Sequence, residues 1–204
     1  MRRLMLAMFA VCAALFFGGC ADPVVMSEVL QQRQDQKIYT RYNLWYLNPA
    51  EISSLNIQQG TFLPLGSEIE PVGTSYSYIT GRSKLTFRDL SGREYTIDFD
   101  PGYRLCSLRD FIAQTFTTEL PEEQTKDIPA ATLERIRAGQ VVAGMNRREV
   151  MLAYGPPPAV RTPNLRNETW IYWISPTQRK VHPIFWILNL ILYRRMIFPL
   201  IISL

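Results

Sequence analysis

The side chains of this chain with reactive chemistry to offer are three cysteines, one histidine and eighteen carboxylates. A lone His182 rules out a histidine-based metal site by number, and neither Cys-x-x-Cys nor His-Glu-x-x-His occurs. A Gly-x-Ser-x-Gly elbow and a phosphate-cradling glycine loop are also missing. Glu122 and Glu123 stand together in "PEEQ", where neighbouring carboxylates in a polar stretch read as a solvated loop, not an acid–base pair. The sequence therefore predicts no catalytic, cofactor-binding or metal-binding residues and no enzyme. Cys106, between Leu105 and Leu108, reads as a small buried apolar residue. That leaves Cys20, which follows Phe17-Gly18-Gly19 at the end of a long apolar run.

Arg2 and Arg3 make a basic start, and Leu4 to Phe17 are fourteen uninterrupted apolar residues. This is the length of a signal-peptide core and falls short of the roughly 20 residues that span a bilayer. The series Phe17-Gly18-Gly19-Cys20 resembles a bacterial lipobox, with Phe17 where Leu is commonest. The resemblance implies a signal peptide over residues 1–19, a diacylglycerol thioether on Cys20 and an acyl chain, palmitate for example, on its freed amine. Each buried CH₂ is worth about 0.8 kcal/mol, so several chains anchor durably without a membrane-spanning helix. A plain secretory signal with an incidental cysteine, or an uncleaved anchor helix, are the alternatives. Ala21, where Asp is absent, implies the outer membrane, on its periplasmic face, by resemblance to the sorting rule of enteric-type bacteria. Loss of Arg2 and Arg3 takes Lys+Arg from 22 to 20 against 18 Asp+Glu, a net charge of about +2. With no arginine-rich stripe, nucleic acid is not an expected partner. Cys12 leaves with the signal and Cys20 is lipidated, so Cys106 has no disulfide partner.

Residues 20–37 are polar and Gln-rich and read as a tether, with room for a short helix from Ser27. Residues 38–120 read as a β-rich domain ending in a helix. The hairpin is its clearest part: Leu85 and Phe87 alternate with polar residues, Asp89 to Gly92 turn, and Tyr95, Ile97 and Phe99 resume the period of two. Short strands between turn signals point to a small sheet or an SH3-like barrel. Over Ser107 to Leu120, Leu108, Phe111, Ile112, Thr115 and Phe116 recur at helical spacing, Ser107 with Asp110 resembles a capping start, and Pro121 marks the stop. "PEEQTKDIPAA" then reads as a polar connection and the weakest seam in the chain. A helix from Ala130 to Arg137, ended by Gly139, follows.

The most heavily punctuated stretch is "AGMNRREVMLAYGPPP", Ala143 to Pro158. Asn146 can cap the helix and accept from the amide of Glu149, whose carboxylate reaches back to the cap. Met145 can staple onto Val150, Gly155 can end the helix in a left-handed turn, and the prolines cannot continue it. Ile136, Gly139, Val142, Gly144, Met145, Asn146, Glu149, Val150, Gly155, Pro157, Trp170, Ile171 and Tyr172 together resemble the BamE (SmpA/OmlA) lipoprotein family. The family's pattern is Gly-Met-Thr/Ser, then Glu/Gln-Val, then Gly-x-Pro, and later Trp-x-Tyr on a strand. Asn146 replaces Thr or Ser and keeps the capping chemistry. The resemblance covers about residues 130–180, within a domain read as 130–182, and implies two short helices packed on a small antiparallel sheet. The chain as a whole is therefore expected to be α+β.

By that resemblance, the chain is a lipid-anchored, non-catalytic interaction or assembly module of the cell envelope, accessory to outer-membrane protein assembly, with an envelope protein as partner. The alternative is a small-ligand or peptidoglycan-binding lipoprotein using an aromatic groove of Tyr42, Trp45, Tyr76 and Tyr78. For Trp170, Tyr172 and Trp173, packing in a core or on a sheet face is favoured over a ligand cage. The tail, residues 183–204, is strongly apolar, is interrupted by Arg194, Arg195 and Pro199, and carries no turn glycine. It reads as a displaced reading frame, a membrane-associated helix over Pro183 to Tyr193, or an unusually hydrophobic strand pair.

Overall fold

A computed structural model describes residues 25–174 and 198–203. Cys20, His182 and the segment Pro183 to Tyr193, with the helix expected there, lie outside the described residues. In chain order the elements are α1 (Met26–Val29), β1 (Ile38–Thr40), β2 (Leu44–Tyr46), β3 (Ile52–Ser53), β4 (Thr61–Leu63), β5 (Glu68–Ser77), β6 (Arg82–Asp89) and β7 (Glu94–Phe99). There follow α2 (Pro101–Arg104), α3 (Leu108–Thr115), β8 (Phe116–Thr117), α4 (Pro121–Thr125), α5 (Ala130–Arg137), α6 (Arg147–Tyr154), β9 (Thr169–Ile174) and β10 (Phe198–Ser203). The fold is α+β, built on a curled six-stranded sheet in the order β3-β7-β6-β5-β1-β8. Two further strand pairs, β2–β4 and β9–β10, stand beside it.

The hairpin follows its sequence pattern. Leu85 lies opposite Ile97 and Phe87 opposite Tyr95, all four buried on one face. Asp89 makes the turn, one carboxylate oxygen accepting from the amides of Ser91 and Arg93 and the other from the Tyr95 hydroxyl. The opposite face is polar, with Thr86 hydrogen-bonded to Thr96 and Arg88 paired with Glu94. β5 pairs with β6 from Ile69 to Ser77, and with β1 at Glu68 and Ile69, so most of its length runs out as a long hairpin arm with β6. Pro71 lies in that stretch, and the β5–β6 register slips between Pro71 and Gly73.

Helix α3 covers the apolar face: Phe111 meets Phe99 at 5.1 Å between ring centroids, and Phe116 meets Phe87 edge-on at 5.2 Å. Ser107 and Asp110 form the expected capping box. The helix is shorter than its apolar period suggests, because the chain turns extended at Phe116 and pairs with β1 instead. The main-chain amide of Arg41 takes the Thr115 carbonyl and its guanidinium takes that of Phe116, while Thr115 to Thr118 are poor helix formers. Pro121 opens helix α4 rather than stopping α3, as suits a residue with no amide to leave unpaired. The expected polar connection is thus partly helical, with Gln124 buried and its amide on the Glu119 carbonyl. The expected tether also acquires structure, since Met26 on α1 is buried in the main core beside Val29 and Leu30.

The second core holds Ile136, Met145, Val150, Ala153, Trp170 and Tyr172. β10 pairs with β9 over six residues, Leu200 opposite Tyr172, so the end of the apolar tail is a strand in this structure. Ile202 packs toward the second core, whereas Ile201 is exposed. Among the described residues no helix is long and apolar enough to cross a membrane.

Candidate functional site

The residues singled out by the sequence converge on α6 and the carbonyls at its end. Asn146 accepts from the Glu149 amide at 3.1 Å, and the Glu149 carboxylate accepts from the Asn146 amide at 2.7 Å. Met145 and Val150, one before the cap and one four residues after it, share the second core, as a hydrophobic staple requires. Gly144 precedes them in the turn, and Pro157 is buried beyond the helix.

A helix leaves its last four carbonyls without intrahelical donors. Here each finds a donor, and most come from far away in sequence. The Gly155 amide donates to Met151, the Asn43 amide to Leu152, the Trp45 indole to Ala153 and the Asn56 side-chain amide to Tyr154. The Tyr172 hydroxyl then donates to the Gly155 carbonyl at 2.8 Å and the Arg104 guanidinium to Pro156 at 3.3 Å. Gly155 has φ +74° and ψ −178°, which is not the left-handed helical turn expected but a region open essentially to glycine alone. A Cβ there would lie 2.7 Å from the Tyr42 ring, so the close approach and the dihedral demand the same residue.

β2 explains how distant residues reach this point. All three of its residues are buried, because the strand runs between two cores. Leu44 and Tyr46 face the main core, while Trp45 packs on Phe62 at 4.6 Å and on Tyr154 at 6.2 Å. Asn43, fully buried, donates to the Ile136 carbonyl of α5 and accepts from the Leu65 amide. Asn56, at a left-handed φ of +49°, bonds three backbone groups: the Trp45 amide and the Asn43 and Tyr154 carbonyls. The β-rich half and the helical half are therefore joined by buried hydrogen bonds, not only by the chain at 121–131.

Compared with known proteins, the chain matches no family model, no curated protein and no solved structure.

Electrostatics at the site follow from burial. Loss of water pushes the phenols of Tyr42 and Tyr172 well above their ordinary range, with the Arg104 cation pulling the other way, and burial also raises Tyr154. These phenols stay neutral at neutral pH. Arg104 is buried over the Phe111 ring at 5.4 Å, with only neutral acceptors, and its Nε has no partner among the described residues. Cys106 beside it is only partly buried, not closed off as the sequence suggested, and burial raises its thiol pKa against the pull of Arg104.

Trp170 and Tyr172 are core residues, and Trp173 lies on the outer face under the Arg161 guanidinium at 5.1 Å. Tyr42 and Trp45 are closed to solvent while Tyr76 and Tyr78 are exposed, so the four rings do not line one groove. Sequence reasoning passed over Asn43, Asn56 and Arg104. Nothing local marks them: their roles depend on which carbonyls the fold delivers, and only the abrupt Asn before the apolar "LWY" hints at a buried amide.

Proposed function

We propose that this chain is a lipid-anchored, non-catalytic interaction or assembly module of the cell envelope, held at the periplasmic face of the outer membrane through Cys20 and accessory to outer-membrane protein assembly. The observation that carries the proposal is the signal-like start ending in Phe17-Gly18-Gly19-Cys20. The BamE-like reading of residues 130–182 has support in the order helix, helix, strand, strand, with α5 against α6 and β9 paired to β10 over a shared core. The SH3-like reading of the β-rich half has less, since the six-stranded sheet includes a parallel β3–β7 pair. Asn43, Trp45, Asn56 and Tyr172 are committed to backbone groups around α6, which suits a scaffold that presents a fixed surface. Metabolic labelling with a palmitate analogue should mark the wild-type chain and not Cys20→Ala, and outer-membrane fractions should hold the labelled form. Equal labelling of both would overturn the anchor. Mild-detergent capture that recovers no envelope protein would overturn the assembly role.

A further inference from the structure

One end of the six-stranded sheet carries a concentration of exposed apolar side chains. The loop between β5 and β6 holds Ile79, 98% exposed, and Tyr78, 66% exposed, whose ring meets that of Tyr76 edge-on at 4.9 Å. Tyr76 lies opposite Ser83, and Ser83 opposite Phe99, so the three share a row on the core-facing side of the sheet. Phe99 is covered by Phe111, but Tyr76 at the margin has small Ser83 as its cross-strand neighbour and stays 46% exposed. Helix α2 begins at the same end. Arg82, at the base of the loop, pairs with Asp98 at 3.0 Å and with Asp100, the cap of α2, at 2.7 Å. Beyond that cap, Tyr103 and Leu105 are also exposed. Leu105 is held at φ +52°, a left-handed conformation unusual for a bulky residue, and it points its apolar side chain to solvent. Strain that displays a leucine outward has a cost, which contact with an apolar medium would offset.

We infer that this end, presented by Tyr76, Tyr78, Ile79, Tyr103 and Leu105, rests on the lipid headgroup surface. The inference builds on the Cys20 anchor proposed above. Only four residues lie between Cys20 and Val25, and the five steps at about 3.3–3.6 Å each reach roughly 17 Å. A body held that closely must turn some face to the bilayer. Tyrosine rings with an aliphatic apex suit the boundary, since a phenol sits with its ring in the acyl margin and its hydroxyl among headgroups. The opposite end of β6 offers a contrast: its turn exposes Leu90 beside Asp89, Ser91 and Arg93, a polar setting with one apolar side chain.

The test uses the lipidated full chain in vesicles of phosphatidylethanolamine and phosphatidylglycerol containing nitroxide-labelled lipid. In a Cys106→Ala background, a fluorescent thiol label is placed at Ile79→Cys or, as the internal control, at Leu90→Cys, with circular dichroism confirming that each variant folds. Nitroxide lipid should quench the label at position 79 several-fold more than the label at position 90. Flotation of the protein with vesicles but equal quenching at both positions overturns the inference and leaves the anchor standing. Stronger quenching at position 90 overturns it too, by putting the other end on the membrane. Failure to float with vesicles at all removes the anchor, and this orientation with it.

Discussion

Gly155 is where the demands on a single residue are greatest: a dihedral pair that excludes side chains, an amide committed to Met151, a carbonyl committed to Tyr172 and the Tyr42 ring against its α-carbon. Gly155→Ala should therefore lower unfolding free energy by about 2 kcal/mol or more, measured by urea denaturation. The capping residue is more forgiving. Asn146→Ala should cost about 1 kcal/mol, whereas Asn146→Ser, which keeps a short side-chain acceptor, should stay within a few tenths. Asn56→Ala removes one side chain and strands three buried backbone groups, so about 2 kcal/mol or more is expected in the same assay. Near-wild-type stability of Asn56→Ala would mean that water or another side chain replaces it.

Short elements hold here because each is received by something else. Helix α6, of eight residues, is too short to persist alone, and its ends are satisfied by its own cap and by residues from β2, the Asn56 turn and β9. Helix α1 depends on Met26, so Met26→Ala should cost about 2 kcal/mol or more and speed amide exchange across Met26–Val29 ahead of the sheet. What the sequence made legible divides along the same line. The β6–β7 hairpin, the capping boxes of α3 and α6 and the extent of α5 were readable because their signals lie within a few residues of one another. The end of α3 was not, since Phe116 keeps the helical period and is drawn into a strand by Thr40, far away in sequence. Nor were Asn43 and Arg104, whose partners, the carbonyls of Ile136 and Pro156, are distant along the chain.

For the molecule as a whole, the buried bonds that join the two halves predict one cooperative transition, in which tryptophan fluorescence and far-ultraviolet dichroism change together during denaturation. Two separated transitions would show that the halves fold independently. The buried phenols set the alkaline limit. Tyr42, Tyr154 and Tyr172 titrate higher folded than unfolded, so their contribution is complete below about pH 10 and is lost as pH rises through the folded values. The urea midpoint should hold steady from pH 7 to about 9 and fall above about 10, with Tyr172→Phe losing less over that interval. At the acid end Asp89 works in the opposite sense. Burial alone would raise its pKa, but the hydrogen bonds from Ser91, Arg93 and Tyr95 hold it below its ordinary value, so its contribution fades as pH falls through the folded value. The long arm of β5 carries a different consequence. A straight strand at the margin of a sheet invites a second chain to continue the ladder, and a crowded compartment multiplies the chances. Pro71 brings no backbone donor to this strand, and the register slip beside it bends the β5–β6 ladder, making this margin a poor template for fibril growth.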